Sequence, residues 1–256
     1  MSIPTLSLKN KVAVITGGKR GIGRAIAIGF AEAGADVAIC DLSLTDGELE
    51  AVAREIQKLG RRSLALEVDV SLKDDVDNMF QKVINEFKTI DILVNNAGVS
   101  ILDAIIETQE KNWDTTINTN LKGCFLCSQA AAKQMVIQKS GCIINIASIG
   151  GMQGSKTSIG AYNISKAGVI MLTRQFAWDL GKYNIRVNGI APGLVRAETA
   201  RAILNDPEAL KQREAIIPLR KIGEPADIVG SALFLASEAS SHIAGHTIVV
   251  DGGETV

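Results

Sequence analysis

The chain alternates between short runs of consecutive apolar residues, such as Val12-Ala13-Val14-Ile15 and Ile143-Ile144-Asn145-Ile146-Ala147, and longer stretches of helical pattern. This order predicts strands over 12–15, 36–40, 63–68, 90–95, 142–147, 184–190 and 247–250. Helices are expected between them, over 22–33, 46–59, 72–87, 109–135, 161–180 and 225–236. The strands are continuously apolar, with no polar alternation, as required when both faces of a sheet are covered. Strand and helix in strict alternation imply a doubly wound parallel sheet with helices on both faces, a Rossmann-type α/β fold. No linker, repeat or low-complexity tract interrupts residues 1–256, so a single domain is expected. Residues 192–225 break the rhythm with Pro, Gly and short helical pieces after a strand's carboxyl end, and are expected to form a lid.

Composition narrows the field. At 46% hydrophobic and 21% charged, the usage is that of an ordinary globular protein. A net charge of −1 offers no electrostatic footprint for nucleic acid or an anionic membrane, and Arg61-Arg62 reads as a solvated loop. Met1–Asn10 lacks an apolar targeting core, and no run approaches the ~18 to 20 apolar residues needed to cross a bilayer, so a cytoplasmic location is expected. Cys40, Cys124, Cys127 and Cys142 lie in apolar patterns and read as buried, reduced thiols with no metal role. Cys124 and Cys127 have C-x-x-C spacing, but mid-helix, without the strand-to-helix opening of a redox pair. His242 and His246, near the end of the chain, provide no well-placed base for a Ser-His-Asp triad.

Two constellations carry chemistry. The first is Thr16-Gly17-Gly18-Lys19-Arg20-Gly21-Ile22-Gly23, between the first strand and the first helix. Glycines permit a tight turn and close backbone approach, while the helix N-terminus presents unpaired N–H groups to a pyrophosphate. The spacing is Gly-x-x-x-Gly-x-Gly, different from the usual G-x-G-x-x-G fingerprint. Asp41 ends the second strand, 18 residues past Gly23, where a carboxylate can accept from a ribose. The second constellation is Tyr162 and Lys166, one helical turn apart, with Ser148 at a strand end 14 residues before the tyrosine. A lysine cation within ~4 to 6 Å favours phenolate over a phenol that ordinarily titrates near ~10, which is the basis of acid/base chemistry.

Taken in order, the glycine turn, Asn95-Asn96-Ala97-Gly98, Asn120, Ser148, the Tyr162/Lys166 pair and Pro192-Gly193 resemble the short-chain dehydrogenase/reductase family over essentially the full chain. The resemblance implies an NAD(P)-dependent oxidoreductase of the EC 1.1.1 type. It assigns catalysis to Asn120, Ser148, Tyr162 and Lys166. Tyr162 would exchange the proton of the substrate hydroxyl, Ser148 would hold its oxygen, and Lys166 would lower the Tyr162 pKa and bind the nicotinamide ribose. Asn120 would hold a water on a proton path from Lys166, its plainer role being a locally satisfied polar group within a helix. Cofactor contacts are expected from Gly17, Arg20, Gly21, Ile22, Gly23, Asp41, Asp69, Val70, Asn96, Ala97, Gly98, Tyr162, Lys166, Pro192, Gly193 and Val195. Asp69 has a second reading as a cap for the helix that follows. Relatives are usually tetramers, so a homotetramer is expected, paired through the long helices and the last strand.

The chain departs from the family pattern in two places. Ser148 and Tyr162 stand fourteen apart where thirteen is common, with Ser155 and Ser158 as competitors that end no strand, and Ala197 replaces a frequent threonine whose contact passes to Thr199 or Arg196. Asp41, followed by Leu42-Ser43 and not by an arginine, favours NAD; Lys19 and Arg20 leave NADP open. Ser100, Ile101, Met152, Leu194 and Val195 are expected to line a mostly apolar substrate pocket. This suits a secondary alcohol or ketone of polyol, sugar-acid or cyclic-alcohol type, as in the gluconate 5-dehydrogenase group. The alternative is an NADPH-dependent 3-oxoacyl-carrier-protein reductase, which would need a basic docking patch, with Lys133, Lys139 and Arg174 as candidates. A more remote alternative is a non-catalytic nucleotide-sensing protein.

Overall fold

The computed structural model describes residues 5–154, 159–197 and 200–256. Ser155, Ser158 and Thr199 lie outside the described residues. Seven parallel strands form one sheet in the order β3-β2-β1-β4-β5-β6-β7. They are β1 (Val12–Thr16), β2 (Asp36–Asp41), β3 (Ser63–Glu67), β4 (Ile92–Asn95), β5 (Gly141–Ile146), β6 (Ile185–Pro192) and β7 (Thr247–Val250). The order reverses between β1 and β4, the place where ligands bind in open α/β sheets.

Side chains that alternate along each strand feed two cores, one on each face. Ala13 and Ile15 of β1 join Ile26 and Phe30 of α1 (Gly21–Glu32), Ile56 of α2 (Glu48–Lys58) and Leu235 of α9 (Pro225–Ala236). Val12 and Val14 face the other way, toward Met79 and Phe80 of α3 (Lys73–Phe87) and Met135 of α5 (Gly123–Gln138). Each fully buried side chain of this size contributes roughly 1.5 to 3 kcal/mol, so these layers fix the sheet on which the site is carried.

Observed boundaries match the expected ones within a few residues, with two informative differences. The expected helix 109–135 is two helices, α4 (Glu110–Ile117) and α5, joined by a π-helical turn over Asn118–Lys122. A π turn inserts a residue into the helical ladder and re-aims the side chains it carries, here Asn120. The segment after β6 holds α7 (Arg201–Leu204) and α8 (Pro207–Ile216), with Asp206 capping α8 through Glu208 N and Ala209 N. Helix α6 (Gly160–Leu180) follows β5 and packs against β6.

Candidate active site

A cleft of about 1470 Å³ runs along the carboxyl ends of the strands. At one end stands the glycine turn. Gly17 and Gly21 adopt φ +64° and +56°, a left-handed backbone that favours glycine. A Cβ on Gly23 would lie 2.1 Å from the Gly17 carbonyl oxygen, so Gly23 lets the helix meet the strand. Asn96 bridges the crossover by donating from Nδ2 to the carbonyls of Thr16 (3.0 Å) and Gly17 (2.9 Å). The Thr16 hydroxyl accepts from the backbone of Asn96 and Ala97, both at 3.0 Å. No side chain caps the start of α1, so its first N–H groups face the cleft lined by Gly17, Arg20, Gly21 and Ile22. This cradle fits the pyrophosphate of a dinucleotide.

Asp41 lines the cleft at the end of β2, where its carboxylate accepts from Leu42 N (2.9 Å). Lys19 is buried and forms an ion pair with Asp46 at 2.7 Å, and its side chain is not among the lining residues. That hydrogen bond holds the Lys19 ammonium above its ordinary value, as a charge tied within the protein. Asp69 and Val70 line the cleft beyond Asp41. Asp69 does not cap α3; its Oδ1 accepts from the backbone N (2.9 Å) and hydroxyl (2.7 Å) of Ser71, closing a turn.

At the other end Ser148, Tyr162 and Lys166 converge. Ser148 lies two residues past β5 and accepts from Gly150 N at 3.1 Å, which fixes the hydroxyl at the start of a short 3₁₀ turn. Tyr162, half-buried, lies beside that hydroxyl, which favours the ionised phenol. Lys166 Nζ stands 5.6 Å from the centroid of the tyrosine ring and donates to the Ile146 carbonyl at 2.7 Å. Gly98 completes the floor: a Cβ there would lie 3.6 Å from Lys166 Nζ and 3.2 Å from Asn120 Oδ1.

The electrostatics bear on the expected acidification of Tyr162. Burial pushes the Tyr162 phenol above its ordinary value, opposed only by the Ser148 hydrogen bond, and the same burial draws Lys166 down to about 8. The lysine alone therefore does not acidify the phenol in the cofactor-free protein. At about 8, Lys166 is still largely charged near neutral pH, and a second positive charge, such as that of an oxidised nicotinamide ring, would add to its pull toward phenolate.

Asn120 makes its side-chain contacts within the protein. Its Oδ1 accepts from Val99 N (2.8 Å), and its Nδ2 donates to Val99 O (2.9 Å) and Ser165 Oγ (3.0 Å). Both amide donors are used inside the protein, so the expected water relay finds no open side-chain donor. These bonds hold the 96–99 loop against α6. Asn120 and Gly23 stand behind the cleft wall, whereas the remaining expected cofactor residues line it, including Asn96, Ala97, Pro192, Gly193 and Val195.

Of the expected substrate residues, Ser100, Leu194 and Val195 line the cleft; Ile101 and Met152 do not. Arg196 is ion-paired with Glu224 (3.0 Å) and Glu214 (3.6 Å) outside the lining, and Ala197 faces the cleft. Residues without a sequence signal also line it, notably Asn163, Arg213 and Glu254. All four cysteines are free and buried, and burial pushes Cys40 and Cys124 up to about 12. Among the described residues no cluster could hold a metal, and no helix is long and apolar enough to cross a membrane.

The family model described as Enoyl-(Acyl carrier protein) reductase matches residues 17–255. A 3-oxoacyl-[acyl-carrier-protein] reductase of Staphylococcus epidermidis is 41% identical over 246 residues, covering 95% of this chain and 98% of that one. The 2-dehydro-3-deoxy-D-gluconate 5-dehydrogenase of Escherichia coli is 39% identical over 254 residues, covering 99% and 98%. A solved short-chain type dehydrogenase/reductase from Mycobacterium marinum superimposes with a TM-score of 0.92 at 37% identity, covering 98% and 97%. Fold, cleft and these relatives agree: the chain belongs to the short-chain dehydrogenase/reductase family, and it is an NAD(P)-dependent oxidoreductase that moves a hydride between a nicotinamide cofactor and a secondary alcohol or ketone.

Proposed function

We propose that the protein is an NAD-preferring dehydrogenase of a polyhydroxylated secondary alcohol or its ketone, of the polyol, sugar-acid or cyclic-alcohol type. The observation that carries this reading is one cleft with a carboxylate and no available lysine at its adenosine end, and a hydroxyl, phenol and ammonium at the other. A carboxylate at Asp41 accepts from ribose hydroxyls and repels a 2′-phosphate. Asp46 ties up the Lys19 cation that would greet such a phosphate, and Arg20, which lines the cleft at the glycine turn, is the cation that keeps NADP open.

Bound nicotinamide supplies the hydride acceptor for oxidation and the donor for reduction. Tyr162 takes the substrate's hydroxyl proton in oxidation and returns it in reduction, and Ser148 hydrogen-bonds the same oxygen. Lys166 places its charge beside the phenol and would donate to the ribose of a bound cofactor. Gly17, Arg20, Gly21 and Ile22 cradle the pyrophosphate, Asp69 and Val70 border the adenine, and Asn96, Ala97, Gly98, Pro192, Gly193 and Val195 border the nicotinamide half. Gly23 and Asn120 act by position. Residues 192–225 serve as the lid within a single catalytic domain.

The competing substrate class is the 3-oxoacyl thioester named for the staphylococcal relative. Its identity exceeds that of the gluconate-type relative by only 41% against 39%, which separates nothing. The basic residues considered for a carrier protein do not favour it. Lys139 stands two residues before β5, at the amino end of the sheet, and neither it nor Lys133 or Arg174 lines the cleft. A spectrophotometric screen at 340 nm with both cofactors decides, using polyols, sugar acids, cyclic alcohols and 3-oxoacyl thioesters. The expected best pair is a polyhydroxylated alcohol with NAD⁺; a 3-oxoacyl thioester with NADPH as best pair overturns the reading.

The protein is further proposed to be a cytoplasmic homotetramer. Phe125 and Ile137 of α5 and Ile164, Met171 and Trp178 of α6 are exposed apolar residues that association would cover. Sedimentation at micromolar concentration should give four protomers.

A further inference from the structure

Helix α8 and the C-terminal segment bring Arg213 and Glu254 together across 41 residues, with Arg213 Nη2 donating to Glu254 Oε1 at 2.6 Å. Both side chains line the cleft, and Glu254 is only 11% exposed. The pair stands on the nicotinamide side of the cleft, because the same C-terminal turn abuts Gly193, where a Cβ would lie 2.8 Å from Asp251 Cβ.

The turn is rigid. Asp251 accepts from Gly253 N (2.8 Å), Thr255 N (2.9 Å) and Thr255 Oγ1 (2.7 Å). Leu219 N donates to Gly252 O at 3.1 Å, so the chain leaving α8 is hydrogen-bonded to the turn that carries Glu254. Yet the ion pair is only half satisfied: Arg213 Nε and Glu254 Oε2 are buried without partners. A half-satisfied pair on a cleft wall is costly, and a group that completes it, from a ligand or a water, is favoured there.

The pair presents donors and an acceptor side by side, with compensating charges. A lone carboxylate ligand would meet Glu254 as well as Arg213. A vicinal diol matches both, since each hydroxyl donates and accepts. An acyl chain offers neither group. We propose that Arg213 and Glu254 read a vicinal diol on the substrate, remote from the reacting carbon, and so select polyhydroxylated substrates. This rests on the substrate class proposed above.

The test compares kcat/KM of the wild-type enzyme, Arg213→Met and Glu254→Gln on a polyol and on a secondary alcohol bearing no other hydroxyl. Thermal melts and NAD⁺ titrations report folding and cofactor binding, and Arg213→Lys keeps the charge while losing the planar fork. The expected result is a fall of about 10- to 100-fold in the ratio of polyol to plain-alcohol efficiency, mostly through KM, with partial recovery in Arg213→Lys. Equal losses on both substrates would make the pair a structural latch and overturn the inference, as would an unaltered ratio. If the wild-type enzyme uses 3-oxoacyl thioesters and no polyol, the substrate class itself has failed and the inference falls with it; wild-type polyol turnover with no change of ratio in the variants sinks the inference alone.

Discussion

Lys166 is anchored to the last residue of β5, its Nζ donating to the Ile146 carbonyl at 2.7 Å, and not to the Tyr162 oxygen. The sheet therefore sets the height of the cation beneath the tyrosine ring. Because Ser148 follows the same strand by two residues, hydroxyl, phenol and ammonium take their positions from one rigid edge. Catalytic groups carried on a strand end and a helix are held more closely than groups on free loops.

Replacing Tyr162 by Phe deletes the proton carrier while keeping ring packing. The expected loss in kcat is about 10² to 10⁴-fold, with NAD⁺ affinity changed little. Turnover and equilibrium titration on the same preparation check it; wild-type turnover would remove Tyr162 from the chemistry.

Burial draws Lys166 down to about 8 in the folded protein, from 10.5. Between those pH values the unfolded chain binds more protons at this position than the native one, so the native state gains stability as pH rises. The penalty is fully present below pH 8. Melting of the cofactor-free protein from pH 7.5 to 10, against Lys166→Met, should show wild type gaining relative to the variant. A parallel pair of curves would mean that Lys166 is not desolvated.

Asp46→Ala releases the Lys19 ammonium beside the adenosine end of the cleft. The expected consequence is a several-fold lower KM for NADP⁺ with little change for NAD⁺. Asp41→Ala removes the proposed ribose acceptor and should narrow the NAD preference. Steady-state kinetics with both cofactors measures each effect. An unchanged preference in Asp41→Ala would show that the carboxylate does not discriminate.

Asn120→Ala removes two hydrogen bonds to the Val99 backbone and one to Ser165. Losing those bonds to a part-buried backbone should cost about 1 kcal/mol in a denaturant titration. The 96–99 loop should loosen with it, raising the Kd for NAD⁺. Loss of activity with stability and Kd intact would instead point to a direct role in proton transfer.

Much of this architecture was written in local pattern. Continuous apolar runs such as Ile143–Ile146 announced strands covered on both faces, and the glycine turn announced a strand meeting a helix end. The Tyr162/Lys166 spacing put two groups on one helical face because the period of a helix is fixed. Asn120 was legible as a residue of interest with two roles open to it, and its contacts with Val99 and Ser165 join a π turn to a loop and a helix that meet only in the folded chain.

The primary structure alone thus indicated the layered α/β class and the order of its elements, because these depend on local periodicity, and its motifs nominated the candidate reacting side chains. Tertiary folding set the burial of Tyr162 and Lys166, the pairing of Lys19 with Asp46 and the meeting of Arg213 with Glu254. Those depend on desolvation and on contacts between residues as far as 41 positions apart, and no local pattern encodes either.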